Sequence, residues 1–131
     1  MRVYLSGPIN GCSDEECMSW RKQAKEMFSD KITIVDPMDR DYRGLEDVVD
    51  DSEIVEKDKE DLSSCNAVLV GYTRESTGTS MEVLLAYQQK IPVILLPLER
   101  RAGISPWMLY HISGIQRDMP SAVDAIEKLL P

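Results

Sequence analysis

Short apolar runs alternate with longer segments of helical periodicity along this chain. The runs at residues 2–6, 32–35, 67–70 and 92–96 have the length and β-branched content of buried strands. Between and after them, apolar positions repeat at helical spacing to about residue 29, over about 47–64, up to about 90, and from Pro120 onward. Residues 115–116 are a candidate short edge strand. Strands alternating with helices predict a parallel sheet with helices on both faces.

The turn at residues 76–82 is the most informative stretch, because it joins a predicted buried strand to a predicted helix. It carries hydroxyls, a glycine and one carboxylate, Glu82. In open α/β sheets ligands bind at the carboxyl ends of the strands, where such turns lie. We expect Glu82 in the first helical turn, ionised by the positive helix end and able to act as a nucleophile or base. The alternative is that Glu82 only complements the helix dipole.

Asp58 is the second candidate, because it lies on the apolar side of the charged helix predicted at about 47–64. That side holds two carboxylates among apolar residues: Val48, Asp51, Ile54, Val55, Asp58, Leu62 and Cys65. A buried carboxylate is costly without a partner, and burial raises its pKa. The alternative is that Asp58 caps a loop or pairs with an arginine.

Three further segments have patterns that predict an interface or a loop. Residues 83–87 are apolar on every side of a helix, which predicts a subunit interface in so small a domain. The loop at 38–44 is long for an α/β connection and holds Arg40 and Arg43, whose charges alternatively just balance Asp39 and Asp41. Residues 98–114 are predicted to be a loop region with an aromatic patch.

Composition narrows the function classes. The chain has 131 residues, 43% hydrophobic residues and a net charge of −8, which argues against broad contact with nucleic-acid polymers or anionic membranes. Three cysteines and one histidine, without a CxxC pair, make a metal site improbable, and no cofactor is implied. No apolar run approaches a membrane span, and residues 1–5 run directly into a strand, so we expect a cytoplasmic protein.

Four motifs together resemble the nucleoside 2-deoxyribosyltransferase family, including its 2'-deoxynucleoside 5'-phosphate N-hydrolase branch. They are the first-strand loop Tyr4-Leu5-Ser6-Gly7-Pro8-Ile9-Asn10-Gly11, the helix segment Ile54-Val55-Glu56-Lys57-Asp58, the pair Cys65-Asn66, and the turn Ser76-x-Gly78-Thr79-x-x-Glu82. The resemblance covers nearly the whole chain. It implies a single-domain α/β fold over 1–131, a doubly wound, flavodoxin- or Rossmann-like parallel sheet of about five strands.

The resemblance also implies roles. Glu82 attacks the anomeric carbon of a deoxynucleoside or its 5'-monophosphate and forms a glycosyl ester, Asp58 protonates and orients the departing base, and Tyr4 positions the nucleophile. The sugar then passes to another base or to water. The residues expected to contact substrate are Gly7, Ile9, Asn10, Arg40, Arg43, Ser76, Gly78, Thr79, Ser105 and Trp107. We expect a homodimer or higher homo-oligomer.

The 5' end of the substrate is the least determined part of the resemblance. Ser76 matches the monophosphate branch, where a hydroxyl at a helix N-terminus suits a phosphate. Pro8 and Asn10 depart from that branch, which has a hydroxyl and an arginine there, so Arg40 or Arg43 would have to supply the charge. The alternative to an enzyme is a nucleotide-binding or sensing module on the same fold, which would need neither Asp58 nor Glu82.

Overall fold

A computed structural model describes residues 1–99 and 103–130 and shows a five-stranded parallel sheet with helices on both faces. The strands are β1 (Arg2–Ser6), β2 (Thr33–Val35), β3 (Ala67–Tyr72), β4 (Val93–Pro97) and β5 (Gly114–Ile115), in the order β2-β1-β3-β4-β5. The helices are α1 (Asp14–Met27), α2 (Asp51–Ser63), α3 (Thr77–Gln88), α4 (Pro106–His111) and α5 (Met119–Leu129). This arrangement confirms the predicted α/β fold.

The two faces of the sheet bury two separate apolar clusters. Val3 and Leu5 of β1 pack in the cluster that includes residues of α1 and α5. Tyr4, between them on the strand, belongs to the opposite cluster with Leu62 of α2 and Val83 of α3. Because side chains alternate along a strand, Tyr4 and Ser6 share the face covered by α2 and α3.

The strand order reverses between β1 and β3, and this reversal places the site. The segment after β1 leads to α1 on one face, and the segment after β3 leads to α3 on the other. The two connections therefore diverge at the carboxyl ends of neighbouring strands. In open α/β sheets this topological switch point is the crevice where ligands bind.

Two glycines allow close packing beneath the switch point. A Cβ on Gly71 would lie 2.4 Å from the ring of Trp20, and a Cβ on Gly7 would lie 2.8 Å from both that ring and the Gly71 carbonyl. Any larger residue at either position would therefore displace the indole or the neighbouring strand. Gly7 is thus fixed by packing, which holds the loop after β1 against β3.

Helix α2 is shorter than the helix predicted at about residues 47–64. α2 begins at Asp51 rather than near residue 47, and Val48, which lies outside it, is 82% exposed. Val55 is also exposed, so the expected apolar stripe is restricted to its last turn, where Leu62 and the following Cys65 are buried. The charged residues of α2 leave it only a narrow contact with the sheet.

The segment predicted as a loop at residues 98–114 contains the short helix α4. Ser105 caps it by accepting a hydrogen bond from the Trp107 amide at 3.2 Å, and Pro106 occupies its first turn. This is the usual start of a helix, although the helix is only six residues long. Residues 100–102 of that segment lie outside the described residues. Within the described ranges, no helix is long and apolar enough to cross a membrane.

Candidate active site

Glu82 lies deeper in its helix than the sequence predicts. α3 begins at Thr77, so Glu82 is the sixth helical residue and lies in the second turn, not the first. The expectation failed because Thr77-Gly78-Thr79-Ser80 resembles a polar turn although it is helical. The helix dipole acts mainly on the first turn, so it does not account for the state of Glu82.

Two hydroxyls from β1 hold the Glu82 carboxylate. The Tyr4 hydroxyl donates a short hydrogen bond to Oε2, and the Ser6 hydroxyl donates to Oε1 at 2.9 Å. Both donors are fully buried and lie two residues apart on the same face of the strand. The carboxylate thus faces the carboxyl end of β1 with one donor on each oxygen.

Burial raises the pKa of Glu82 to about 7, whereas the hydrogen bonds from Tyr4 and Ser6 lower it. Asp58 raises this pKa further, and Arg21 lowers it. Glu82 as a residue keeps some exposed surface, but its carboxylate is enclosed between the strand and the helix. Burial therefore opposes the ionised carboxylate that the sequence analysis expects, and the two hydroxyl donors favour it. Burial also raises the pKa of Tyr4 well above its usual value.

Asp58 is held by an arginine, the alternative that the sequence left open. The Arg40 guanidinium lies 3.4 Å from Asp58 Oδ1 and 2.6 Å from Asp61 Oδ2. Burial raises the pKa of Asp58, Arg40 lowers it, and Asp61 raises it. Asp61 is the closer partner, so Arg40 stabilises the charge of Asp58 less than it would if Asp58 were its sole partner.

The structure brings Tyr4, Asp58 and Glu82 to one place. Tyr4 contacts Glu82 directly, and the charge of Asp58 is close enough to raise the pKa of both. Burial is the largest cause of the raised pKa of both carboxyl groups, so both bind a proton more tightly than an exposed carboxyl group does.

The loop after β1 is anchored by a buried arginine from α1. Arg21 donates to the carbonyls of Leu5 at 3.0 Å and Gly7 at 3.2 Å, and pairs with Asp36 at 2.8 Å. Ile9 is half-buried and Asn10 is exposed at the tip. Arg21 therefore fixes the base of the loop and leaves its tip open to solvent.

Arg74 is the cation that the structure places at this tip. Its guanidinium lies 3.4 Å from the Asn10 carbonyl, 2.9 Å from Cys12 Sγ and 3.6 Å from a Glu16 carboxylate oxygen. It is the second residue after the end of β3, at the switch point. The sequence analysis missed Arg74 because a lone arginine in a loop has no pattern of its own.

Arg43 does not share the position of Arg74, and its partners are carboxylates of α1 and of the 38–44 loop. Its guanidinium is 2.6 Å from Asp14 and 2.8 Å from Asp41, with no contact to the turn at 76–82 among its described hydrogen bonds and ion pairs. These carboxylates raise its pKa above the usual value. The expectation that charges of the 38–44 loop balance one another therefore holds for Arg43 and Asp41.

The start of α3 supplies the remaining polar groups. Ser76 is its N-cap and accepts from the Thr79 amide at 3.4 Å. Thr79 is buried, and no partner within the described chain bonds its Oγ1. Gly78 faces open space, since a Cβ there would meet no atom within 4 Å.

A cavity of about 540 Å³ lies between α3 and α4 and is lined by Ser76, Ser105 and Trp107. Its lining does not include Tyr4, Asp58 or Glu82. Ser105 and Trp107 are therefore grouped with Ser76 but not with the carboxylate pair. Trp107 is 77% exposed.

The fold and this site define a class of protein: a doubly wound α/β protein with a hydroxyl-held carboxylate and a second carboxylate at its switch point. The family model described as "Nucleoside 2-deoxyribosyltransferase like" matches residues 1–99, and the chain belongs to this family. This confirms the resemblance found in the sequence.

Two solved structures share the fold. One is a 2-deoxyribosyltransferase from the psychrotolerant bacterium Bacillus psychrosaccharolyticus, with a TM-score of 0.76 at 16% identity over 95% of this chain and 91% of that one. The other is a conserved protein from Enterococcus faecalis V583, with a TM-score of 0.79 at 14% identity over 98% of both chains. No curated protein is significantly similar in sequence. At these identities the two structures support the fold alone.

Proposed function

We propose that this protein cleaves the N-glycosidic bond of a 2'-deoxynucleoside or its 5'-monophosphate through a covalent glycosyl ester on Glu82. The observation that carries the proposal is the Glu82 carboxylate, bonded by Tyr4 and Ser6 and electrostatically linked to Asp58 at the switch point. Family membership supports a nucleoside as the substrate class.

The proposed reaction uses one proton on the carboxylate pair. A Glu82 oxygen bonds to C1' of the sugar as the C1'–N bond breaks, and the bonding electrons leave with the base, which takes the proton of Asp58. Water or a second base then attacks C1' and gives its proton to the Asp58 carboxylate, as the C1'–O bond to Glu82 breaks and restores both carboxyl groups. This follows the logic of retaining glycosidases, where one carboxylate attacks an oxocarbenium-like centre and another group donates the proton.

The alternative is a nucleotide-binding or sensing module without turnover. A binder has no need of a nucleophile with an acid beside it, and the raised pKa values of Asp58 and Glu82 favour the enzyme. Incubation with a panel of nucleosides and monophosphates, with and without a second free base, separates these functions by chromatography. Binding without free base or exchanged nucleoside in any reaction would establish the module instead.

We further propose that the 5'-monophosphate is the better substrate. The Ser76 hydroxyl, the N-terminus of α3 and the Arg74 guanidinium next to Asn10 all suit an anion. Arg43 pairs with Asp14 and Asp41 and has no described hydrogen bond or ion pair with Asn10 or the start of α3, so Arg43→Ala is a matched control for Arg74→Ala. The preference in kcat/KM should weaken in Ser76→Ala and Arg74→Ala and in high salt. An equal or higher kcat/KM for the nucleoside would contradict the phosphate assignment.

A homo-oligomer is proposed from the exposed face of α3 and α4. Trp107 and Tyr110 are 77% and 70% exposed, and apolar side chains on α3 beside them, Met81, Leu84 and Tyr87, are also exposed. A contiguous apolar patch of this kind marks an interaction surface, and closed two-fold pairing is the commonest arrangement. Light scattering should give at least a dimer, which Trp107→Glu should dissociate. A stable, active wild-type monomer at micromolar concentration would contradict it.

A further inference from the structure

Ser6 is a buried hydroxyl beside the proposed nucleophile. Its Oγ lies 2.9 Å from Glu82 Oε1, and its side chain has no exposure to solvent. We propose that Ser6 is a positioning residue for Glu82, which fixes the plane of the carboxylate for attack on the sugar. This inference rests on the proposed function and adds to it a residue that acts through Glu82.

The geometry explains why one donor is not enough. The last torsion of a glutamate is broad, so a carboxylate held at one oxygen can still rotate. Tyr4 bonds Oε2 and Ser6 bonds Oε1, so rotation would break one of the two hydrogen bonds. Each carboxylate oxygen accepts more than one hydrogen bond, which leaves an electron pair available for attack. The orientation therefore comes from both donors on one rigid strand.

The surroundings of Glu82 predict what loss of the Ser6 hydroxyl does. The groups that face Glu82 are Tyr4 on β1, Asp58 on α2 and Arg21 on α1, together with Ser6. Tyr4, Ser6 and Arg21 favour the ionised carboxylate, against burial and the charge of Asp58. Without the Ser6 hydroxyl, one of the donors that lower the pKa of Glu82 is lost, and the attacking carboxylate is ionised less often.

The first test compares Ser6→Ala with Ser113→Ala. Ser113 also uses its hydroxyl in a hydrogen bond, from the Val93 amide at 3.0 Å, but at the amino end of β4. Ser6→Ala should lower kcat/KM by about 10- to 100-fold, mainly in kcat, since hydrogen bonds to charged groups have that weight. Ser113→Ala should leave it within about twofold. Equal losses in the two variants would overturn the proposal.

The second test requires no substrate. The Glu82 carboxyl is followed by carbon NMR against pH in wild type, Ser6→Ala and the size-matched Ser6→Cys. Its midpoint should rise in Ser6→Ala and rise less in Ser6→Cys, which keeps a weak donor and also serves if the alanine variant fails to fold. An unchanged midpoint would overturn the role of Ser6. A wild type that turns over no nucleoside or monophosphate would instead overturn the proposed function.

Discussion

The two carboxylates of the site lie in regions of different construction. Glu82 belongs to the β1–α3 region, where its partners are the neutral hydroxyls of Tyr4 and Ser6 on a central strand. Asp58 belongs to the region of α2 and the 38–44 loop, where its neighbours are the charged Arg40 and Asp61. The first region is fully buried around the donors, and in the second the Asp58 and Arg40 side chains are 29% and 33% exposed.

This difference shows that burial alone does not assign the two roles. Burial raises the pKa of both carboxyl groups, so the partners must decide which one holds the proton. Hydroxyls on a rigid strand fix orientation and adapt to either state of Glu82. Arg40 is shared between Asp58 and Asp61, so a change in any one of these three charges shifts the pKa of Asp58. We therefore expect the β1–α3 region to control attack and the α2 region to control protonation.

The largest expected effect is at Glu82. Glu82→Gln keeps the size of the side chain and replaces the nucleophilic carboxylate by a neutral amide, so kcat/KM should fall by at least about 10³-fold. The matched control is Glu60→Gln, which alters an exposed carboxylate on α2. Circular dichroism should show both variants folded. Near wild-type turnover by Glu82→Gln would remove the β1–α3 region from the chemistry.

The next effect is at Asp58. Asp58→Asn should slow cleavage by about 10²- to 10⁴-fold, the usual range for a general acid, because the departing base loses its proton donor. Substrates whose base leaves without protonation should be affected least. Asp51→Asn, at the exposed start of the same helix, is the control. Equal losses for good and poor leaving groups would mean that Asp58 supports structure only.

The sequence was sufficient to predict the sheet, and its motifs pointed to Tyr4, Asp58 and Glu82, whose roles stay predictions. Buried parallel strands are continuous apolar runs, which stand out in an acidic chain, and their carboxyl ends meet at one edge. Helix starts were harder, because Thr77-Gly78-Thr79-Ser80 and residues 45–49 consist of turn-forming and mixed residues. The structure shows that the first segment is helical and that the second lies before the start of α2.

The supporting residues could not be predicted for a different reason. Ser6 is a single hydroxyl at a strand end, Asp61 is one of many charges on α2, and Arg74 is a lone arginine in a loop. Each acquires its role from a contact with a residue distant in sequence, or, for Asp61, from sharing Arg40 with Asp58. Periodicity describes which face of an element is buried, but not which polar atoms meet across elements.

Glu82 should also have a smaller effect on how the free energy of unfolding depends on pH. The pKa of Glu82 is raised from 4.5 to about 7 in the folded protein, so the folded state binds this proton more tightly than the unfolded chain. The resulting stabilisation is complete below about pH 4.5 and is lost as the pH rises through about 7, with an upper bound of about 3 kcal/mol. Glu82→Gln lacks this loss. The free energy of unfolding of Glu82→Gln, measured by urea denaturation, should therefore increase relative to that of the wild type between about pH 5 and about pH 8. A difference in unfolding free energy that does not change with pH would contradict the raised pKa.

The smallest effects should separate the two partners of Arg40. Arg40→Gln removes the charge that opposes protonation of Asp58, so the pKa of Asp58 should rise. Asp61→Asn should lower it, because the repelling carboxylate is lost and Arg40 is left to Asp58 alone. Since these groups are partly exposed, each shift should stay within about one pH unit, and kcat/KM should change by less than about tenfold.

Carbon NMR titration of the Asp58 carboxyl measures these shifts without substrate, with Glu82 followed in the same spectra. The two variants should move the Asp58 midpoint in opposite directions while the Glu82 midpoint moves less, because the described hydrogen bonds to the Glu82 carboxylate come from the β1 hydroxyls and not from Arg40 or Asp61. Turnover should follow the proton on Asp58, so Asp61→Asn should be the slower enzyme. Shifts of the same sign, or a larger response at Glu82, would mean that the two regions do not control attack and protonation separately.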